Sequence, residues 1–298
     1  MLIAVDWGTT QLRAFLMDGS GSVIDTIAAK KGLMAVEGGR FEAALKSVIG
    51  PWLEAERHPI LMSGMVGSRQ GWVEAPYVGL PATLEDLALN AVAVDGQSLG
   101  EIAIIPGLAT AAPPPGFADV MRGEETQIFG AAAALGLTSG RFVLPGTHSK
   151  WATLDEGKIA AFTTAMTGDL FGAIAGHTIL SKTMTEDDDP AAFDSGLEAA
   201  AELAMPGDLL ARLFSIRAET LFDRLKPFQT RSFLSGLLIG CEVAANASDR
   251  SAVTIVGGAT LSSAYAHALG RFGIPATTAP DTATAMGLFA VARARSLL

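Results

Sequence analysis

The chain opens on an apolar run, Leu2 to Val5, that stops at Asp6, and a second apolar stretch from Leu12 to Met17 carries a single Arg. A short, continuous run of this kind predicts a strand buried on both faces. The turn sequence Asp-Gly-Ser-Gly at 18–21 then leads into a third stretch from Ser22. Three strands joined through such turns predict an antiparallel meander at the start of the chain. Residues 39–56 have helical spacing, "PILMSG" at 59–64 reads as a short strand ending in glycine, and "IAIIPGL" at 102–108 reads as another. In "TAAPPPGFADV", at 110–120, three successive prolines can neither continue a helix nor sit in a central strand. They predict a surface connection near a domain boundary. The following "RGEETQIFGAAAALGL", at 122–137, reads as a helix with Glu124 and Glu125 in its first turn, where negative charge suits the helix dipole.

The second half repeats the grammar of the first. "RFVLPGTHSKWATLDEGKIAAFTTAMTG", from Arg141, is strand, Gly-Thr turn, strand, acidic turn, strand, and the opening of the chain has the same order. Such an internal echo predicts two related lobes. The expected division is 1–120 for an N-terminal lobe and 121–298 for a C-terminal lobe, with the last helix packing back at the lobe junction. Residues 168–247 read as mostly helical. "VTIVGGATLSSAYAHALGRFG" is strand, Gly-Gly, helix; "IPATTA" is a strand; and "DTATAMGLFAVARARSLL" is a closing helix. The expected fold class is α/β.

Composition narrows the function. At 298 residues with 49% hydrophobic but only 7% aromatic positions, the core must come from Ala, Leu, Val and Ile. A net charge of -10 argues against partners that present a phosphate backbone or an anionic membrane surface. It leaves room for an anionic small molecule, which needs only a few local donors. The single cysteine, Cys241, allows no internal disulfide and no multi-thiolate metal site, and in "LLIGCEVAA" it reads as a small core residue. "MLIAVDWG" lacks the pattern of a signal peptide, and no run reaches the ~18 apolar residues of a membrane span, so a cytoplasmic protein is expected. The Ala-rich helices could supply the surface of a homodimer.

The candidate chemistry is phosphate chemistry. Tight turns with glycine and threonine expose backbone N–H groups that take phosphate oxygens without net positive charge. Gly8-Thr9-Thr10 and Gly146-Thr147 are two such turns, one in each expected lobe, and Gly257-Gly258-Ala259 lies between a strand and a helix. Asp6, at the end of the first strand, could hold Mg²⁺ through water, since Mg²⁺ keeps much of its hydration shell and takes one or two carboxylates; it could equally cap its own turn. Arg13 is grouped with the first turn as a nucleotide contact, and Lys150 in "PGTHSKW" could offset phosphate charge. Glu124 at a helix start could accept a hydroxyl proton, or simply cap that helix, and Arg122 could bind an anionic substrate. Ser63, Gly64, Gly67, Ser68 and Arg69, in "MSGMVGSRQGW", combine flexible backbone with donors and suit a sugar or carboxylate pocket, with Trp7 as a wall. The four histidines have no metal-ligand spacing. P-loop, Gly-x-Ser-x-Gly and complete dinucleotide fingerprints are absent, which disfavours those classes.

Taken in order, "AVDWGTT", "RGEETQIFGA", "LPGTHSKW", "TIVGGATL" and "TATAMGLFAVA" resemble the actin-like ATPase and sugar-kinase superfamily over nearly the whole chain. More narrowly, "VDWGTTQLRAFL", "MRGEETQIFGA", "PGTHSKW", "MTGDLF" and "FLSGLLIGCEVA" resemble the bacterial 2-dehydro-3-deoxygalactonokinase family. The resemblance implies a two-lobed, duplicated ribonuclease H-like fold with ATP and Mg²⁺ in an interlobe cleft. It places the first phosphate turn at Asp6 and Gly8–Thr10, the second at Gly146–Thr147, and the adenosine at Gly257–Gly258. It further implies transfer of the γ-phosphoryl group to the 6-hydroxyl of a 2-keto-3-deoxy sugar acid, either the galactonate or its gluconate epimer. One departure stands out: many sugar kinases of the wider superfamily place an Asp after the glycine before the comparable helix, whereas this chain has Glu124. The general base is therefore open between Glu124 and Asp169 of "TGDLF". A non-kinase actin-like nucleotide-binding protein is the rival reading.

Overall fold

Strand β1 (Leu2–Trp7) is buried along nearly its whole length and so needs a neighbour on each edge. The computed structural model of the protein, which describes residues 1–53, 57–96, 98–110, 117–203, 205, 208–247 and 249–298, supplies both. On one side β2 (Leu12–Met17) pairs antiparallel with β1, and β3 (Val23–Ala29) pairs antiparallel with β2, giving the expected meander. Helix α1 (Phe41–Ile49) buries Phe41, Leu45, Val48 and Ile49, a stripe at the 3.6-residue period. It is shorter than the spacing over 39–56 suggested, because Gly50-Pro51 tightens the chain into a 3-10 turn at Gly50–Trp52. On the other edge of β1 lies β4 (Ile60–Ser63), parallel to it.

The chain continues through β5 (Val78–Gly79) and α2 (Leu84–Leu89), which Thr83 and Asp86 close with a capping box. Next come β6 (Val92–Gly96) and β7 (Gly100–Ile104), which complete a six-stranded sheet of order β3-β2-β1-β4-β7-β6. Strands β8 (Leu108–Thr110) and β9 (Asp119–Met121) join β5 in a small sheet of order β5-β8-β9. The triple-proline run between β8 and β9 lies outside the described residues. Strand β9 delivers the chain through Gly123, at φ 108°, into α3 (Glu124–Leu135).

Strands β10 (Gly140–Leu144), β11 (Ser149–Asp155) and β12 (Lys158–Ala165) form the second meander. Helices α4 (Thr167–His177), α5 (Pro190–Ala201), α6 (Asp208–Leu221) and α7 (Pro227–Asn246) follow. Then come β13 (Val253–Ile255), α8 (Ala259–Arg271), β14 (Ala276–Thr278) and α9 (Ala283–Ala294). The second sheet runs β12-β11-β10-β13-β14. Its serial order, third, second, first, then the next strands outward, is that of β3-β2-β1-β4-β7, so the echo in the sequence is an echo in topology.

By internal packing the chain divides into two units. Unit 1 is Met1–Phe142, Ala152–Thr163 and Ala279–Leu298; unit 2 is Val143–Trp151 and Thr164–Thr278. The sequence-based division at residue 120 and this one differ over 121–142, 152–163 and 279–298, which are expected in the C-terminal lobe and pack in unit 1. Within unit 1, α9 packs on α3 so closely that a Cβ on Gly130 would lie 1.8 Å from the Ala283 carbonyl, and one on Gly287 1.8 Å from that of Thr126. Ile3, Val5, Trp7, Leu45, Met62 and Ile104 are among the residues of its core. In unit 2, α5 and α7 cross through Gly196 and Gly236, each of which sits against the other helix's backbone. Among the described residues no helix is long and apolar enough to cross a membrane.

Candidate active site

In unit 1 the ends of β1 and β4 meet the start of α3. Asp6 and Ser63 are Cα partners across the parallel pair. One Asp6 oxygen, Oδ2, accepts from Arg13 at 2.6 Å; Arg13 is its partner across β1–β2 and also lies 3.4 Å from the Thr284 hydroxyl. The other oxygen faces Gly64: a Cβ there would come 3.3 Å from Asp6 Oδ1 and 2.8 Å from the Trp7 carbonyl. Gly64 has φ 94°, and its Cα lies 3.2 Å from where a Cβ on Gly123 would be. Both glycines hold conformations that side chains resist, and both keep space beside the carboxylate open. Trp7 itself is fully buried, donates its indole N–H to the Lys31 carbonyl and packs edge-on against Phe41. Its ring lies in the core and forms no open wall.

The first Gly-Thr turn closes with the Gly8 amide on the Gln11 carbonyl. The carbonyls of Gly8, Thr9 and Thr10 accept from the amides of Leu33, Met34 and Gly32. An anion-binding loop must turn its carbonyls away from the anion, and this backing does so while Thr9 and Thr10 stay exposed. Gly32 has to be glycine, because a Cβ there would lie 2.3 Å from the Thr10 backbone. Sequence reasoning missed it, since the contact spans the meander.

Arg122 is the other notable cation of unit 1. Its Nη2 donates to the Ala75 carbonyl at 2.8 Å, and its guanidinium lies over the Tyr77 ring at 4.3 Å. Its Nε and Nη1 are buried and have no hydrogen-bond partner, and the nearby Ser68 hydroxyl is in the same condition. A Cβ on Gly67 would come 2.8 Å from the Ile104 side chain and 3.0 Å from Arg122 Nη1, so that glycine lets its backbone pack close to the guanidinium edge. Buried donors without acceptors are costly, on the order of 1–3 kcal/mol each, so a group of them is a candidate position for a bound water or anion. Arg69, by contrast, is exposed and pairs with Glu74 at 3.1 Å.

At the start of α3, Glu124 accepts from the Arg122 amide at 2.9 Å, while both oxygens of Glu125 lie 2.8 Å from the Gly123 amide. Glu125 is fully buried; burial, then the neighbouring charge of Glu124, push its carboxyl up to about 8. Glu125 is thus largely protonated at neutral pH, and Glu124, half-buried, is the more exposed of the pair.

In unit 2 the Gly146-Thr147 turn is backed in the same manner. The Asp169 amide donates to the Thr147 carbonyl at 2.9 Å, and a Cβ on Gly168 would lie 2.5 Å from the Gly146 carbonyl. Gly168 is the counterpart of Gly32, a spacer that lets another segment cover the turn's carbonyls. Asp169 is half-exposed and lies 3.7 Å from His148. Lys150 is buried on β11, so it is not an open counter-charge. Gly257 and Gly258 lead into α8 at Ala259, and the Ser262 hydroxyl beside them is buried without a partner. A cavity of about 120 Å³ is lined by Gly146, Thr167, Phe171, Leu238, Leu261 and Tyr265, among others.

The family model described as 2-keto-3-deoxy-galactonokinase matches residues 6–291. The chain belongs to this family. A protein of Rhizobium meliloti (strain 1021), named a probable 2-dehydro-3-deoxygalactonokinase, DgoK1, is 38% identical over 98% of this chain and 96% of its own length. The 2-dehydro-3-deoxygalactonokinase of Escherichia coli (strain K12) is 37% identical over 98% of this chain and 97% of its own. A crystal structure of a Sinorhizobium meliloti protein assigned to the same activity superposes with a TM-score of 0.88 at 37% identity, covering 99% of both chains. A ROK family glucokinase of Streptomyces griseus, at 14% identity over 98% of this chain and 99% of its own, shares the fold alone with a TM-score of 0.50. The fold is that of the actin-like ATPases and sugar kinases.

The residues fit a kinase's ligands. Among the described residues no cluster of three or more His, Cys, Asp and Glu is gathered for a metal. Mg²⁺ needs no such cluster, because it binds through one or two carboxylates and retained water. Asp6, with one oxygen held by Arg13 and the other beside the open Cα of Gly64, suits that mode.

Proposed function

We propose that the protein transfers the γ-phosphoryl group of ATP to the 6-hydroxyl of 2-dehydro-3-deoxygalactonate, a step of galactonate breakdown that takes place in the cytoplasm. Membership of the kinase family gives the reaction class. The observation that supports an acid rather than a neutral sugar as acceptor is the buried edge of Arg122, whose Nε and Nη1 have no hydrogen-bond partner. A carboxylate accepts in the bidentate manner that such an edge offers. Tyr77 holds the guanidinium plane from one face; Ser63, expected to line the pocket, is instead fully buried, 3.4 Å from the Thr126 hydroxyl.

Glu124 begins the helix two residues after Arg122, in the same unit as the acid-binding group, and we assign it the role of accepting the proton of the attacking hydroxyl. Asp169 belongs to the turn of unit 2 and is the reserve. Gly146-Thr147 and the Gly257–Ala259 helix start, with the Ser262 hydroxyl, serve the nucleotide, and Gly8–Thr10 serves a phosphate oxygen. Asp6 holds Mg²⁺ through water. That ion, when bound, neutralises charge on the transferring phosphoryl oxygens.

Replacing Arg122 by Ala tests the assignment. Loss of charge-assisted hydrogen bonds worth on the order of 2–3 kcal/mol should raise KM for the sugar acid about 30- to 150-fold and leave KM for ATP near the wild-type value. An unchanged KM for the acid would remove Arg122 from the acceptor site.

A further inference from the structure

Beneath the second turn lies a carboxylate that the kinase reaction does not call for. Glu242 sits on α7, 5% exposed, in the middle of a buried and otherwise apolar surface. Trp151 donates its indole N–H to Oε1 at 2.8 Å and Tyr265 donates its hydroxyl to Oε2 at 2.7 Å. Thr167 adds a further side-chain hydrogen bond to the carboxylate. Burial pushes the Glu242 carboxyl up, and these donors oppose the shift. Placing a carboxylate here costs several kcal/mol in desolvation before its partners are counted, where a leucine would cost none. Four elements converge on it: β11, the first residue of α4, α7 and α8.

The convergence has a direction. Because Tyr265 donates to Glu242, its oxygen accepts from Ser149, whose hydroxyl lies 2.9 Å away. Ser149 Oγ, having given its proton to Tyr265, accepts from the Gly146 amide at 3.4 Å, while the Gly146 carbonyl lies 3.5 Å away. On the other side Thr167 is followed by Gly168 and Asp169, which cover the carbonyls of Gly146 and Thr147. Both Tyr265 and Thr167 also line the cavity beside that turn.

We propose that Glu242 is a positioning residue for nucleotide binding: it orders the Tyr265–Ser149 chain and Thr167 so that the Gly146-Thr147 turn is held in one orientation. The inference rests on the reading of that turn as a phosphate turn. A fully satisfied buried network of this kind specifies one arrangement of the elements it joins. A glutamine at 242 would offer one acceptor and one donor group to partners that now all donate, so either the Tyr265 hydroxyl must reverse or Trp151, which can only donate, must lose its bond.

The test compares Glu242→Gln, Tyr265→Phe and Ser149→Ala with wild type, by calorimetric titration of Mg·ATP without acceptor and by steady-state KM for each substrate. Each variant should weaken ATP about tenfold, the scale of one misdirected buried hydrogen bond, with KM for the sugar acid within about twofold of wild type. Tyr265→Phe keeps the ring in the core and the Trp151 contact to Glu242, so it remains a test if Glu242→Gln fails to fold. Unchanged ATP affinity in Tyr265→Phe and Ser149→Ala overturns the proposal, as does a parallel rise of both KM values, which marks a structural role only. The titration needs no acceptor. A wild type that binds ATP and phosphorylates no sugar acid therefore overturns the functional reading while the comparison of ATP affinities still decides the role of Glu242.

Discussion

Glu125 makes the stability of unit 1 depend on pH in a direction opposite to that of an ordinary carboxylate. Its side chain is fully buried, and its carboxyl is raised from 4.5 to about 8. Between those values the unfolded chain has released this proton and the folded chain still holds it. The folded state therefore binds more protons, and stability falls as pH rises from about 4.5, levelling off above about 8. At about 1.4 kcal/mol per pH unit the window spans on the order of 5 kcal/mol, of which roughly 3 kcal/mol falls between pH 6 and pH 8. Glu125→Gln keeps the shape and can still accept from the Gly123 amide, but it has no proton to lose. Urea unfolding at pH 5, 6, 7 and 8 should give a wild type that weakens progressively and a Gln variant that lacks this part of the slope. The difference between them should grow by roughly 3 kcal/mol from pH 6 to pH 8. Glu124→Gln, which removes the charge beside it, should shift the wild-type window to lower pH. Parallel pH profiles for wild type and Glu125→Gln would refute the reasoning, since the buried carboxyl would then titrate as it does in water.

Asp6→Ala should abolish turnover and leave the far-ultraviolet circular dichroism unchanged; phosphoryl transfer near the wild-type rate in that variant would exclude Asp6 as the metal carboxylate. Glu124→Gln and Asp169→Asn, assayed side by side, separate the base candidates. For Glu124→Gln kcat should drop about 10²- to 10⁴-fold, the range of general-base catalysis, and far less for Asp169→Asn. Full activity in both would discard each.

Local signals in this chain are legible and cross-chain contacts are not. The meander from Leu2 to Ala29 could be read because continuous apolar runs and Asp-Gly turns are properties of neighbouring residues. The same holds for α3, with its acidic first turn, and for the Gly-Thr turns between strands. Trp7 is expected from the sequence to wall the pocket, but whether its ring turns outward depends on Phe41 and Lys31, far along the chain. Glu124 and Glu125 look alike in sequence, and only the packing around α3 separates a half-buried carboxylate from a protonated buried one. Lys150 is hidden by the same kind of effect, since strand alternation alone does not tell which face of β11 is covered. Gly32 and Gly168 are spacers whose reason lies in the backbones of Thr10 and Gly146, and nothing adjacent to them in sequence announces it. Cys241, read as a small core residue, is half-buried on α7, next to the carboxylate that organises the helix's inner face.

The most direct measurement is ADP release by the wild-type enzyme, coupled to a spectrophotometric readout, across 2-dehydro-3-deoxygalactonate, its gluconate epimer and plain hexoses. Rapid, acceptor-dependent release with the galactonate compound, weaker release with the epimer and none above background with hexoses is the predicted pattern. Release driven equally by a neutral hexose, or by no acceptor at all, would contradict an enzyme built around the partnerless Nε and Nη1 of Arg122.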